Sequence, residues 1–130
     1  MDFTTFMQKR EQAALAYCQG EASLINALAT DSDPASFFGP DGHVLQGPDS
    51  IKAAYEKGAA LFGPKGTGRL EIIQCEAEAD VGYWCGLQHA EVQMDGKSVF
   101  MILRINELFR REDDEWKLVH RHADMLKPKD

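Results

Sequence analysis

The stretch that most limits what this chain can fold into runs from Lys97 to Asp124, KSVFMILRINELFRREDDEWKLVHRHAD. On its first arm Val99, Met101, Leu103, Ile105 and Phe109 fall on one parity, and Arg104, Asn106, Leu108 and Arg110 on the other. Beyond the acidic cluster Glu112, Asp113, Asp114 and Glu115, the residues Trp116, Leu118, His120 and His122 alternate against Lys117, Val119, Arg121 and Ala123. Alternation with a period of two on both sides of a polar turn predicts two long strands folded back on each other.

The rest of the chain supplies what this hairpin packs against. Phe3, Phe6, Met7, Ala14, Tyr17 and Cys18 recur at helical spacing, predicting an amphipathic helix that Gly20 ends. A short helix over 21–28 buries Leu24, Ile25 and Leu28, and the turn cluster TDSDP leads to a strand over 36–38. The turn GPDG precedes a strand over 43–46, and Asp49 is placed to cap a third helix with a stripe of Ile51, Tyr55, Gly58 and Phe62. The run GPKGTG, residues 63–68, lacks the GxxxxGK[ST] pattern and follows a helix, so it reads as a connector and not a phosphate loop. Strands are expected over 69–78, 83–93 and the two arms of the hairpin, with Asp95-Gly96 as a tight turn and 127–130 as a solvated tail. This order predicts an α+β fold with helices segregated on one face of a curved sheet.

Residues 1–130 are expected to form one domain large enough for a real core. A net charge of -7 with scattered basic residues argues against a nucleic-acid partner. The N-terminus lacks the pattern of a signal peptide and no window reaches the roughly 20 apolar residues of a membrane span, so a soluble, cytoplasmic protein is expected. Cys18, Cys75 and Cys85 have no CxxC spacing, which points to buried thiols; a turn near Asp80 would set Cys75 almost opposite Cys85.

Register decides which side chains share a face. With Asp113-Asp114 as the hairpin turn, Arg104 lies opposite Ala123, Asn106 opposite Arg121, and Leu108 opposite Val119. The other face then carries Leu103, Ile105, Glu107 and Phe109 against Asp124, His122, His120 and Leu118. One face is apolar; the other holds two arginines and an asparagine, either as a solvated surface or as the polar end of a pocket.

The order of elements, with LQGPDSIKAAYEKG at 45–58 and FRREDDEWKLVHRHAD at 109–124, resembles the nuclear-transport-factor-2-like superfamily, and within it the SnoaL-like proteins related to ketosteroid isomerase. The resemblance implies a cone: a strongly curved, mainly antiparallel sheet wrapped around about three helices and enclosing a pocket. It also implies a homodimer through the outer face of the sheet and chemistry without a cofactor. Ketosteroid isomerases use a tyrosine on the first helix, an aspartate base on the first strand and a second acid on a late strand. Here those places hold Ala13, Phe38 or Gly39, and Asn106. An absent general base forgoes about 100- to 10,000-fold in rate. The same alignment turns Val119, Arg121 and Ala123 into the pocket.

Arg104, Asn106 and Arg121 are therefore expected at the polar end of an apolar pocket, suited to an anionic group on a lipophilic small molecule, with Tyr17, Phe38, Tyr55 and Trp84 as lining residues. His120, His122 and Asp124 share a face, the spacing of a metal site that His89 could complete. Against a metal, Glu107 opposite His120 would hydrogen-bond it, while His122 and Trp116 pack in an outer-face contact. Two functions follow: a small-molecule-binding protein, with isomerase, cyclase or dehydratase chemistry open to it, or a non-catalytic dimerisation or binding module.

Overall fold

The computed structural model describes residues 1–128; Lys129 and Asp130, the end of the expected tail, lie outside the described residues. Helix α1 spans Phe3–Cys18 and starts where the Asp2 carboxylate accepts the Thr5 N–H at 2.8 Å. It ends at Gly20, whose φ of +91° is the left-handed conformation glycine tolerates, and where an added Cβ would lie 2.7 Å from the Phe62 carbonyl oxygen. Helix α2 (Ser23–Leu28), strand β1 (Ser36–Phe38) and strand β2 (Val44–Gln46) follow. Helix α3 (Pro48–Ala59) begins before the expected Asp49 cap: Gly47 caps it, Pro48 takes the first turn, and Asp49 makes no capping bond. Its buried stripe is Ile51, Tyr55 and Ala59.

Strands β3 (Thr67–Glu78), β4 (Val81–Met94), β5 (Lys97–Glu112) and β6 (Glu115–Met125) form a meander. The six strands make one curved sheet in the order β2-β1-β6-β5-β4-β3, with β1 parallel to β6 and every other pairing antiparallel. This is the expected α+β architecture, a mixed sheet with three helices. The core holds Phe6, Met7, Trp84, Phe109, Trp116 and Leu118. Phe6 meets Phe109 edge-on at 4.8 Å between ring centroids, and Phe3 meets Trp116 at 5.2 Å, which seats α1 on the sheet. No described helix is long and apolar enough to cross a membrane.

The structure corrects two expected registers, and each of the two pairings carries a single-residue bulge. On β3 the turn sets Glu78 opposite Val81, so Cys75 faces Trp84 and Gln74 faces Cys85, and beyond them the bulge brings Ile72 opposite Gly86; all three cysteines are free thiols, Cys18 buried as expected but Cys75 and Cys85 only half-buried. On β6 the bulge matters more. The turn is Asp113-Asp114, both at positive φ (49° and 65°), and Phe109 faces Leu118, as the sequence pattern requires. Val119 is then skipped, so Leu108 faces His120, Glu107 faces Arg121, Asn106 faces His122, and Arg104 faces Asp124. One extra residue moves the inward parity of β6 from Trp116 and Leu118 to Arg121 and Ala123, all four buried. The inward residues of β5 are Leu103, Ile105, Glu107 and Phe109, also buried. Arg121 therefore shares its face with Glu107, whereas Arg104 and Asn106 point outward.

Candidate functional site

Helix α1 brings Arg10 into the protein interior because Arg10 falls on the helix's buried stripe, between Phe6 and Met7 on one side and Ala13 and Ala14 on the other. There it meets Glu107 of β5, which is 0% exposed. Arg10 donates from Nε to Glu107 Oε1 and from Nη2 to Oε2, both at 2.8 Å, a bidentate fork. The Trp84 indole N–H donates to Oε1 at 2.7 Å, and Arg121 Nη1 donates to Oε2 at 2.6 Å. Arg121 Nη2 also donates to Gln88 Oε1 at 3.0 Å, and its guanidinium lies 5.9 Å from the centre of the Phe37 ring. Burial would push the Glu107 carboxyl up, but Arg10 and then Arg121 outweigh it and hold the group at about 2. Two guanidiniums against one carboxylate leave this buried cluster with one excess positive charge.

Above the cluster lies a cavity of about 180 Å³. Arg10, Gln88 and Arg121 form its polar end, Leu103, Met101 and Val92 its sheet wall, and Tyr17, Phe37 and Tyr55 the side towards the helices. Tyr17 meets Tyr55 edge-on at 6.0 Å, and Phe37 lies 5.4 Å from Tyr55, so the aromatic wall is continuous. Tyr55 is buried and desolvation pushes its hydroxyl up to about 12. The hydroxyl of Tyr17 and the thiol of Cys18 are likewise raised by burial. Among the described lining residues there is no carboxylate or imidazole. The lining can neutralise an anion and donate hydrogen bonds, and it offers no group able to take a proton near neutral pH.

Of the residues expected here, Arg121, Tyr17 and Tyr55 line the cavity. Phe38 does not. Neighbours on a strand face opposite ways, and it is Phe37 that turns inward, while Phe38 is 37% exposed and packs on the outer face against His120 and His122, at 4.8 and 5.6 Å. Trp84 is fully buried behind the cavity, where it holds Glu107. Arg104 forms an exposed bidentate pair with Asp124 on the outer face, at 2.6 and 2.8 Å, and Asn106 is exposed beside it. The Val119 bulge accounts for both.

The bulge also changes the histidine face. Glu107 does not bond His120; the His120 Nδ1 lies 2.7 Å from Ser36 Oγ, and His89 pairs with Glu71 at 2.9 Å. Trp116 is buried against Phe3 instead of joining an outer-face contact. Among the described residues no group of three His, Cys, Asp or Glu is arranged to hold a metal ion.

Arg10, Gln88 and Glu107 were not expected at the site, and two of the three carry a signal in the sequence. Arg10 is a lone cation at helical spacing within an apolar stripe, and Glu107 is a lone anion within the apolar parity of β5. A buried charge needs an opposite one, so the two call for each other.

Comparison with known proteins agrees with this architecture. The model of the SnoaL-like domain matches residues 10–127. A nuclear transport factor 2-like superfamily protein from Salmonella enterica superposes with a TM-score of 0.78 at 16% identity, covering 99% of this chain and 96% of that one. A protein with a cystatin-like fold from Caulobacter vibrioides gives 0.74 at 15% identity, over 96% and 87%. A candidate dehydratase of the same superfamily from Streptomyces avermitilis gives 0.72 at 18% identity, over 90% and 91%. No curated protein matches the sequence.

Proposed function

We propose that this chain, which belongs to the SnoaL-like domain family, binds a small, largely apolar molecule bearing one anionic group in the cavity between its helices and its sheet. The observation that carries the reading is the charge balance of the buried cluster. Arg10 is held in a bidentate fork with Glu107, and Arg121 spends one donor on Glu107 and one on Gln88, leaving a positive charge that an incoming carboxylate would neutralise. Apolar walls around a few converging polar groups are the usual make-up of a small-molecule site. The volume bounds the guest: an apolar cavity of about 150 Å³ takes benzene, so about 180 Å³ suits one ring, or its aliphatic equivalent, with a small substituent.

Binding is better supported than catalysis by acid and base. Glu107 sits beside Arg121, yet at about 2 it is permanently ionised, it accepts four hydrogen bonds, and it is 0% exposed. Isomerisation, cyclisation or dehydration here would have to draw its base from the bound molecule, with Arg121 stabilising developing negative charge. The outer sheet face, with Phe38, Phe100 and Leu108 exposed, is read as the contact with a second copy of the chain.

The test is Arg121→Ala. Glu107 keeps Arg10 and Trp84 in this variant, so the fold is retained, and calorimetric titration with benzoate shows affinity falling at least tenfold. Unchanged benzoate affinity in a folded Arg121→Ala protein removes the anion from the reading.

A further inference from the structure

Two hollows of this protein meet at one partition. The cavity of about 180 Å³ adjoins a second hollow of about 360 Å³ between the β1–β2 turn and α3, and Tyr17, Phe37, Pro40 and Tyr55 line both. The second hollow faces solvent, since two of its lining side chains, Asp41 and His43, are 66% and 78% exposed. Tyr17 reaches across the partition from α1. A Cβ added at Gly58 of α3 would collide with the Tyr17 hydroxyl, so the tip of that side chain rests on bare helix backbone. Gly58 lines the outer hollow and not the inner cavity, which puts the hydroxyl on the outer side and the ring between the two. Gly58 lacks the positive φ that calls for glycine, and glycine within a helix is destabilising relative to alanine. The room it leaves is what the Tyr17 hydroxyl occupies.

From this we infer that Tyr17, seated on Gly58, sets the length of the molecule the cavity accepts. The inference rests on the anion-binding reading for the polar end of the site and on the Tyr17–Gly58 contact for its outer limit. With tyrosine at this position the body of the ligand ends at the partition. The class is then a monocarboxylic acid with one ring or a compact aliphatic body, and two-ring acids are excluded. With alanine there the hollows join, and a second ring passes from the first into the second. Overpacking a filled cavity is unfavourable, whereas burying a further ring where room exists is favourable, so the preference between short and long acids reverses. That makes Tyr17 a specificity-determining residue, separate in role from Arg121, which meets the anion.

The experiment titrates benzoate, 3-phenylbenzoate and 4-phenylbenzoate calorimetrically into the wild type and into Tyr17→Ala. The wild type binds benzoate at least roughly tenfold more tightly than either phenylbenzoate, and in Tyr17→Ala one phenylbenzoate binds at least roughly tenfold more tightly than benzoate. A phenylbenzoate that matches benzoate on the wild type, or an order that is unchanged in folded Tyr17→Ala, overturns the inference. Tyr17→Leu replaces the alanine variant if that one does not fold. Melting temperatures read the seat separately. Gly58→Ala melts below the wild type, because the new methyl displaces the hydroxyl. In a Tyr17→Phe background the same substitution lowers nothing, because the clashing oxygen is gone and a contact of 3.3 Å to the ring remains. A rise in the wild-type background, or a fall in both, removes the seat and with it the inference. Should none of the three acids bind either protein, the anion reading falls, and the neutral pair phenol and 4-phenylphenol decides the role of Tyr17. A preference for phenol that reverses in Tyr17→Ala upholds it, and one that does not reverse refutes it.

Discussion

Replacing Glu107 with glutamine changes almost no volume and deletes the one negative charge that Arg10 and Arg121 share. In the wild type four donors converge on that carboxylate, and its environment is dry, with side-chain exposure of 0% for Glu107, 3% for Arg10 and 8% for Arg121. Glu107→Gln leaves two guanidiniums facing each other without compensation. Removing one partner of a buried ion pair costs about 3–5 kcal/mol. The carboxyl gives a second route to the magnitude: its fall from 4.5 to about 2 on folding corresponds to about 3 kcal/mol of stabilisation. Because the folded-state value is depressed, this contribution is complete above about pH 4.5 and is lost as pH falls towards 2. With an unfolding entropy of about 2.1 cal/mol/K per residue, the variant melts roughly 10–20 °C below the wild type at pH 7. Urea unfolding followed by tryptophan fluorescence, repeated from pH 7 to pH 2.5, reads both quantities, since Trp84 donates directly to Glu107. The gap between the two proteins should be full at pH 7 and close in acid. Adding Arg121→Met to the variant recovers part of the loss, since it takes away one stranded cation. A gap under about 1 kcal/mol, or one independent of pH, refutes the account of a charge cluster held by Glu107.

Two further predictions separate the outer face from the inner. Arg104→Ala leaves benzoate binding and the melting temperature unchanged, because the Arg104–Asp124 pair is solvent-screened, with side chains 63% and 39% exposed; a loss of affinity would return Arg104 to the pocket. If the proposed outer-face dimer forms, Leu108→Lys, at a residue 41% exposed on that face, converts it to a monomer in analytical ultracentrifugation, and a wild type that sediments as a monomer at high concentration rejects that interface.

Most of the fold is written in local pattern. The Asp113-Asp114 turn, the Asp95-Gly96 turn and the breaks at Gly20 and Gly47 all coincide with residues whose backbone sits at positive φ. What local pattern does not carry is phase. The β6 bulge falls at Val119, a β-branched residue that suits a regular strand and gives no glycine or proline signal. Extending the turn's register through it places Asn106 and Arg104 beside Arg121. The corrective clue is long-range: Glu107 lies on the apolar parity of β5, and the nearest cation able to meet it across the hairpin is Arg121, which requires a shift of one position. The inward turn of Phe37 and the outward turn of Phe38 are undecided by sequence for a simpler reason. Two adjacent aromatics on a three-residue strand offer either face an equally good candidate.

The Arg10–Glu107 fork has a kinetic consequence. Its partners stand 97 positions apart, Arg10 in the first helix and Glu107 in the fifth strand, and Trp84, Gln88 and Arg121 come from the meander. Closing a loop of that length is entropically unfavourable, and drawing Arg10 out of water before its carboxylate is in place is more so. The expected order is therefore the meander first and α1 second, with the charge cluster closing after the main barrier. The stability that Glu107 contributes then resides in the unfolding rate and is nearly absent from the refolding rate, a split that stopped-flow measurements on Glu107→Gln resolve. A cluster that closes in that order is a latch on the finished fold, slowing its opening without guiding its assembly.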